Sequence, residues 1–139
     1  ALYEAGAGDI WIFAKIENMD GVKCLDELLP VSDEIVIARG DLGNAVPLWE
    51  LPAVQKMIAE KCRNAGVPFM VVTQMLASME KSAVPTRAEV SDIFNAVLDG
   101  AASVMVTGET AVGQYPVDVI SYLAKTAACA EEFLRDNIF

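Results

Sequence analysis

Four short apolar runs recur along the chain, and each is followed by a segment of helical periodicity. The runs read WIFA, IVIA, FMVV and VMV, and they lie in predicted strands at 10–17, 34–40, 68–74 and 103–109. They lack the alternation of a half-exposed antiparallel sheet, so they favour strands buried on both faces, as in parallel sheets. The sequence therefore predicts an α/β fold of four βα units with right-handed crossovers.

The intervening segments carry start and stop signals of helices. Helices are predicted at 21–29, 52–65, 86–100 and 116–135. Pro30 and Gly66 are expected to end the first two helices, and Thr86 with Glu89 has the spacing of a capping box. The last helix is expected to bury a face formed by Val119, Ile120, Leu123, Ala127 and Phe133.

The composition excludes several classes of protein. The 139 residues have room for one domain, and a hydrophobic fraction of 54% excludes a disordered chain. The net charge of −10 disfavours binding to nucleic acid and to anionic membranes, and no apolar run approaches the roughly 18 residues of a membrane-spanning helix. Because histidine is absent, the acids and bases must be carboxylates, lysine or hydroxyl groups.

The cysteines and the amino terminus indicate the cellular setting. Cys24, Cys62 and Cys129 lack the paired spacings of zinc or dithiol sites, so we expect them to be buried, reduced thiols of a cytoplasmic protein. No signal-like segment is present. The chain begins with Ala1, which suggests a processed product or a fragment.

Polar side chains follow each of the four predicted strands. They are Lys15 with Glu17, the run 39–41, the pair 73–74, and Thr107 with Glu109. The carboxyl ends of parallel strands meet at one edge of a sheet, where barrel and doubly wound enzymes build their sites. Any one of these residues taken alone is better explained as a salt bridge or a cap, but four such strand ends together predict a site.

Two of these strand ends have the chemistry of a metal or anion site. Glu17 and Asp41 offer the carboxylate oxygens that Mg²⁺ prefers, with water and a substrate phosphate completing its shell. In the run ARGDLG, Gly40 and Gly43 predict a tight turn that opens a helical piece, whose backbone N–H groups could hold a carboxylate or phosphate. The competing interpretation, favoured for this run alone, is an ordinary βα turn in which the glycines supply positive φ.

Taken together, the motifs resemble the signature segments of the pyruvate kinase family. They occur in the family's order and cover nearly the whole chain: AKIENMDGV at 14–22, IVIARGDLG at 35–43, TQMLASM at 73–79, PTRAEVSDIFNAVLDGA at 85–101 and VTGETAVGQYP at 107–116. The resemblance implies the second half of a (β/α)₈ TIM barrel, strands five to eight. Residues 1–139 would then form a single partial domain, without the family's lid and C-terminal effector domains.

The resemblance also implies a reaction and its metal. In this family, the phosphoryl group of phosphoenolpyruvate passes to ADP, and the enolate is protonated to pyruvate. The catalytic lysine falls on Lys15, which also binds the substrate, and the ligands of Mg²⁺ or Mn²⁺ fall on Glu17 and Asp41. Gly40, Asp41 and Thr73 would bind the substrate carboxylate.

Further family features fall on or outside this chain. Thr73 and Thr107 would join a proton relay, although most relatives have serine where Thr107 stands. The K⁺ site and much of the ATP site would lie in missing segments, and the parent enzyme would be a cytoplasmic homotetramer that acts in glycolysis.

We expect the isolated chain to lack kinase activity and to self-associate, or to pair with the missing half-barrel, because half a barrel leaves two strand edges unpaired. A non-catalytic half-barrel that binds a metal and a small carboxylate, or that assembles with a partner, is the alternative. A metal-dependent pyruvate aldolase or lyase is a more distant one.

Overall fold

The computed structural model describes residues 4–136, and a single four-stranded parallel sheet organises them. The strands are β1 (Phe13–Ile16), β2 (Glu34–Ala38), β3 (Phe69–Val72) and β4 (Ser103–Met105), in the order β1-β2-β3-β4. Lys15 pairs with Val36, and Val72 pairs with both Ala38 and Met105. Sequential strand order and parallel pairing confirm the predicted α/β architecture.

Helices follow every strand. Their bounds are α1 (Met19–Lys23), α2 (Leu25–Leu28), α3 (Arg39–Ala45), α4 (Leu51–Ala65), α5 (Arg87–Leu98), α6 (Gly108–Ala111) and α7 (Pro116–Asp136), with 3₁₀ turns at Leu29–Val31 and Ala77–Glu80. Gly66 ends α4 with a φ of 69°, and the capping box of Thr86 and Glu89 opens α5, both as predicted.

The core lies mainly between the sheet and its helices. Ile35 and Ile37 of β2 belong to a large cluster with residues of α4, α5 and α7. The alternate residues Val36 and Ala38 pack on the opposite face, in a smaller cluster with Val72 and Met70, because successive side chains of a strand point to opposite faces. The two inner strands are therefore buried on both faces, as their unbroken apolar runs predicted.

The edge strands differ from that prediction. In β1 the side chain of Phe13 is exposed by 45%, and in β4 that of Met105 is exposed by 38%. Trp11, which precedes β1, is exposed by 69%. Each of these strands has one neighbour in the described sheet, so the sheet has two open edges, as expected for part of a barrel.

All four strands end earlier than predicted. Strand β2 ends at Ala38 because Arg39 already begins α3, and β4 ends at Met105, just before the loop that leads into α6. Strand β1 begins at Phe13, and the backbone N–H of Ile12 donates to the carboxylate of Asp33 at 2.6 Å. The polar residues that were predicted to close the strands therefore lie mostly in the loops and first helical turns that follow.

Three local expectations were wrong. Pro30 does not end a helix but lies within the 3₁₀ turn Leu29–Val31, because a proline fits the first turn of a helix, where its missing N–H leaves no bond unmade. Helix α7 buries Val119, Thr126 and Ala130, whereas Ile120 and Phe133 are about half exposed.

The third concerns the thiols. Cys62 alone is buried, in α4, whereas Cys24 at the junction of α1 and α2 and Cys129 in α7 are exposed; none of the three forms a disulfide. No helix among residues 4–136 is both long and apolar enough to cross a membrane.

Candidate functional site

An ammonium group and two carboxylates converge at the carboxyl edge of β1 and β2. The Nζ atom of Lys15 lies 2.6 Å from Glu17 Oε2 and 3.5 Å from Asp41 Oδ2. The three side chains are 56%, 43% and 64% exposed, respectively. The hydrogen bond and charge of Glu17, followed by the charge of Asp41, raise the pKa of Lys15 above 10.5. Lys15 is therefore an ammonium throughout the neutral range.

Local structure explains why these three side chains meet. Lys15 lies in β1, and Glu17 follows the strand directly, just before Asn18 caps α1 by accepting a hydrogen bond from Gly21 N at 2.9 Å. Asp41 lies in the first turn of α3, which begins directly after the neighbouring strand β2. Parallel pairing of β1 with β2 brings the two strand ends to the same edge.

Gly40 is required here for close approach and not for a turn. The glycines with positive φ among the described residues are Gly6, Gly66 and Gly100, so the predicted βα turn with positive-φ glycines is wrong and α3 begins at Arg39 without a turn. A Cβ atom on Gly40 would lie 2.8 Å from Thr73 Cγ2. The missing side chain lets the start of α3 pack against the end of β3.

Thr73 has an unusual backbone, and Arg39 fixes it. Thr73 and Gln74 adopt φ values of 79° and 55°, a left-handed conformation rare for side-chain-bearing residues. The guanidinium of Arg39 donates to Thr73 O at 2.8 Å and to Val72 O at 3.3 Å, and it pairs with Asp92 at 2.7 Å. These bonds hold the turn that presents Thr73.

Sequence reasoning assigned Arg39 no role of its own. Its side chain is only 11% exposed, whereas a charge buried to that extent requires partners. The signal that could have found it was a lone cation at the end of a strand that is apolar throughout.

Thr107 lies further along the same edge, after β4. Its backbone N–H donates to Glu109 Oε2 at 2.8 Å, and Glu109 Oε1 accepts from Leu76 N at 3.2 Å. Thr107 is thus bonded within its own loop, and Glu109 links that loop to the one after β3, away from the Lys15 cluster. The structure thus brings Lys15 to Glu17 and Asp41, and Gly40 to Thr73. Thr107 follows β4, which lies on the side of β3 away from Lys15.

The donor set fits a magnesium or manganese ion. Glu17 and Asp41 both reach the same cationic group, so their oxygens face a common point that attracts positive charge. Among residues 4–136 no group of three or more acidic or cysteine side chains is arranged to hold a metal. Two carboxylates suffice for Mg²⁺ when water and substrate phosphate complete the shell.

A cleft of about 970 Å³ lies beside this cluster and is lined by Arg39, Gly40 and Thr73, among other residues. Lys15 and its two acidic partners do not line it. The cluster lies instead at the carboxyl ends of β1 and β2.

Fold and site together define a class: part of a parallel β/α barrel with a cation and carboxylates at the carboxyl ends of its strands. Residues 1–120 match the sequence model described as the pyruvate kinase barrel domain. This chain belongs to the pyruvate kinase family.

Individual relatives agree. A pyruvate kinase of Clostridium acetobutylicum is 48% identical over 138 residues, which is 99% of this chain and 29% of the relative. Pyruvate kinase 1 of Saccharomyces cerevisiae is 51% identical over 124 residues, 89% of this chain and 25% of the relative. The crystal structure of a pyruvate kinase from Cryptosporidium parvum superposes with a TM-score of 0.89 at 44% identity, over 94% of this chain and 27% of that one. The chain thus spans between a quarter and a third of the length of these proteins.

Proposed function

We propose that this chain forms the part of a pyruvate kinase that holds the transferred phosphoryl group and its metal ion. In this reaction the phosphoryl group of phosphoenolpyruvate passes to ADP, which gives ATP and the enolate of pyruvate. The enolate then takes up a proton at carbon. The observation that carries the proposal is the convergence of Lys15, Glu17 and Asp41, and membership of the family supports it.

Each member of the cluster has a distinct role in this proposal. The ammonium of Lys15 neutralises the phosphoryl group as it moves, and charge neutralisation with positioning accounts for most of the catalysis of phosphoryl transfer. Glu17 and Asp41 would hold Mg²⁺ or Mn²⁺, which when bound supplies further neutralisation at phosphate oxygens.

The substrate carboxylate is proposed to bind where α3 meets β3. No side chain caps the start of α3, so the first N–H groups of this helix, including those of Gly40 and Asp41, are suited to an anion. Thr73 Oγ1 lies 3.5 Å from the position of a Cβ on Gly40. Its hydroxyl therefore lies close to Gly40, at the start of α3.

Proton delivery is assigned to the hydroxyl groups of Thr73 and Thr107, acting with water. The K⁺ site and much of the site for ADP are proposed to lie in other segments of the parent enzyme. A cytoplasmic homotetrameric parent belongs to the same proposal.

The chain alone is proposed to bind the metal without turning over substrate. Its open strand edges, β1 and β4, are proposed to pair with the other half of the barrel or, in its absence, with a second copy of this chain. A monodisperse monomer by light scattering at micromolar concentration would contradict the pairing with a second copy.

Metal binding is testable on the chain itself by electron paramagnetic resonance with Mn²⁺. The substitutions E17Q and D41N should each weaken binding by about tenfold or more, because each removes one of two charged ligands. Replacement of Lys15 by methionine should strengthen binding, since both carboxylates lose their competing cation. Asp20→Asn is the matched control, because it neutralises a carboxylate that is 92% exposed and that pairs with Lys23 in its own helix. Equal weakening by the control would contradict the site.

Catalysis is testable by exchanging the matched segment of the Clostridium acetobutylicum relative for this chain. The chimera should form pyruvate and ATP from phosphoenolpyruvate and ADP, and the K15M version should bind Mn²⁺ but form no product. A correctly folded chimera without turnover would refute the catalytic proposal.

A non-catalytic half-barrel is the second candidate, and the Lys15 cluster supports it, because metal binding requires only the two carboxylates that this chain contains. It predicts binding of Mn²⁺ and oxalate to the isolated chain together with an inactive chimera.

A further inference from the structure

A carboxylate that the proposed reaction does not use lies beneath the ends of β3 and β4. Glu109 is 3% exposed. One of its oxygens accepts from Leu76 N at 3.2 Å, and the other accepts from Thr107 N at 2.8 Å. A buried side chain thus joins two backbone segments that belong to different βα units.

This bridge begins where the strand ladder stops. The last paired residues of β3 and β4 are Val72 and Met105. Beyond them the segments that follow β3 and β4 are no longer paired as strands, so their backbone N–H groups need other acceptors. Glu109 supplies the acceptors that the ladder no longer provides, and charge-assisted hydrogen bonds of this kind are stronger than neutral ones.

The segments that Glu109 joins carry the two hydroxyl groups of the proposed proton relay. Thr107 is bonded directly through its own N–H. Leu76 is three residues from Thr73, and the intervening Met75 is fully buried, as is Leu76 itself. The guanidinium of Arg39 bonds both to Thr73 O and to Met75 Sδ, so the residues from Thr73 to Leu76 are held as one unit, and we expect a displacement of Leu76 to reach Thr73.

We propose that Glu109 is a positioning residue that sets the separation between the hydroxyl groups of Thr73 and Thr107. The inference rests on the proposed function for its kinetic consequence, but its geometry stands independently. Only a carboxylate meets the requirement, because both of its oxygens accept, whereas the amide of glutamine accepts through one atom and presents donors at the other.

The geometric test is an amide NMR spectrum of the full chain. In E109Q the amide protons of Leu76 or Thr107 should move upfield, and that amide should exchange with solvent faster by about tenfold or more, as expected for the loss of a buried hydrogen bond. Glu89→Gln is the matched control. Glu89 also accepts from two backbone N–H groups, those of Ser78 at 2.7 Å and Thr86 at 2.8 Å. Its substitution therefore perturbs the same segment after β3 but removes no bond to the amide of Leu76 or Thr107. Unchanged amides at Leu76 and Thr107 in E109Q would overturn the bridge.

The kinetic test uses the chimera described above. E109Q should lower kcat by on the order of tenfold to a hundredfold, the cost of misplacing a reacting group by about 1 Å. The affinity for Mn²⁺ should stay unchanged, because the Lys15 cluster lies on other strands. The KM for phosphoenolpyruvate should change less than kcat, because Thr73 is one of several groups proposed to bind the substrate carboxylate. E109D, which keeps both oxygens on a shorter side chain, should recover part of the loss.

The outcomes separate this inference from the proposed function. An inactive unsubstituted chimera refutes the proposed function and with it the kinetic role of Glu109, while the amide spectra still decide whether the bridge exists. Altered amides with an unchanged kcat would overturn the positioning role. A lower kcat together with a comparably higher KM and weaker metal affinity would indicate that Glu109 has only a structural role. Unfolding of both E109Q and E109D would indicate the same, and either result would overturn the positioning role as well.

Discussion

Substitution of Gly40 by alanine should separate close packing from helix propensity. Gly40 lies within α3 at a helical φ, so alanine there would ordinarily stabilise the helix by about 1 kcal/mol. The new Cβ atom, however, would lie 2.8 Å from Thr73 Cγ2, whereas carbon atoms in contact lie about 3.5–4.0 Å apart. Overpacking of this kind costs about 1–3 kcal/mol. The net effect should be a destabilisation of about 0–2 kcal/mol.

Gly43→Ala is the matched control in the same helix. Its Cβ atom would meet Leu51 Cδ2 at 3.4 Å and Leu48 Cδ1 at 3.9 Å, ordinary contacts with the ends of flexible side chains. This variant should therefore keep the gain from helix propensity. The free energies of unfolding of the two variants, measured by urea denaturation with circular dichroism, should differ by about 1–3 kcal/mol, with G43A the more stable.

The cause of the cost is testable by a double-mutant cycle. Thr73→Ser removes the methyl group that the new Cβ would strike and keeps the hydroxyl, which lies 3.5 Å from the Cβ position. In the T73S background, G40A should lose its penalty, with a coupling free energy of about 1–3 kcal/mol. Equal stability of G40A and G43A, or a coupling near zero, would refute the reasoning.

Three further predictions concern other parts of the chain. Cys24 and Cys129 are exposed, and burial raises the pKa of Cys62 to about 11. A thiol reagent at about pH 8 should therefore label Cys24 and Cys129 quickly and Cys62 only in urea. Rapid labelling of all three cysteines in buffer would contradict the burial of Cys62. Partial burial tends to raise the pKa of Glu89, but its hydrogen bonds outweigh burial and hold the pKa below 4.5. The contribution of Glu89 to stability is therefore present above that pH and is lost as the pH falls through the pKa of the folded state, so E89Q should lose stability less steeply than the unsubstituted chain between about pH 5 and 3 in acid denaturation. Parallel curves for the two proteins would contradict this prediction. Arg39→Met should destabilise the chain by about 2–4 kcal/mol in urea denaturation, because it leaves a carboxylate and two carbonyl groups without their partner; a change below about 0.5 kcal/mol would mean that these bonds contribute nothing.

The order and type of the main elements were predictable because their signals are local. Unbroken apolar runs identified the inner strands, and Gly66 and the Thr86–Glu89 box marked helix ends through backbone chemistry within a few residues. The errors arose where tertiary contacts decide. Helix α7 packs against α5 and buries Val119, Thr126 and Ala130, whereas Ile120 and Phe133 stay about half exposed although the ring of Phe133 contacts Phe94 of α5. No pattern within the helix shows which face its neighbour covers.

The charged residues of the candidate site were predictable from the sequence, but the residues that position Thr73 were not. Polar residues after parallel strands must share one edge, which led directly to Lys15 and Asp41. The roles of Gly40 and Arg39 depend on contacts with Thr73, 33 and 34 positions away along the chain, and the left-handed backbone of Thr73 has no counterpart in propensity. A glycine after a strand is more often explained by a turn, and an arginine there by a surface salt bridge or a cap. Only the three-dimensional contacts show that these two residues have other roles.

The charge balance of the Lys15 cluster determines the order in which it attracts a cation and an anionic substrate. With one ammonium and two carboxylates it carries a net negative charge, so it attracts a divalent cation before it attracts an anionic substrate. A divalent cation held by Glu17 and Asp41, as proposed, would make the cluster positive overall and would compete with Lys15 for both of its partners. All three side chains are largely exposed, so the ion pairs that must break are weak ones. In the proposed reaction the ammonium would then be free for the phosphoryl group, whose transfer depends on neutralisation of its charge. The lysine would thus serve first as the counter-ion that keeps the two carboxylates together and afterwards as a contact of the substrate.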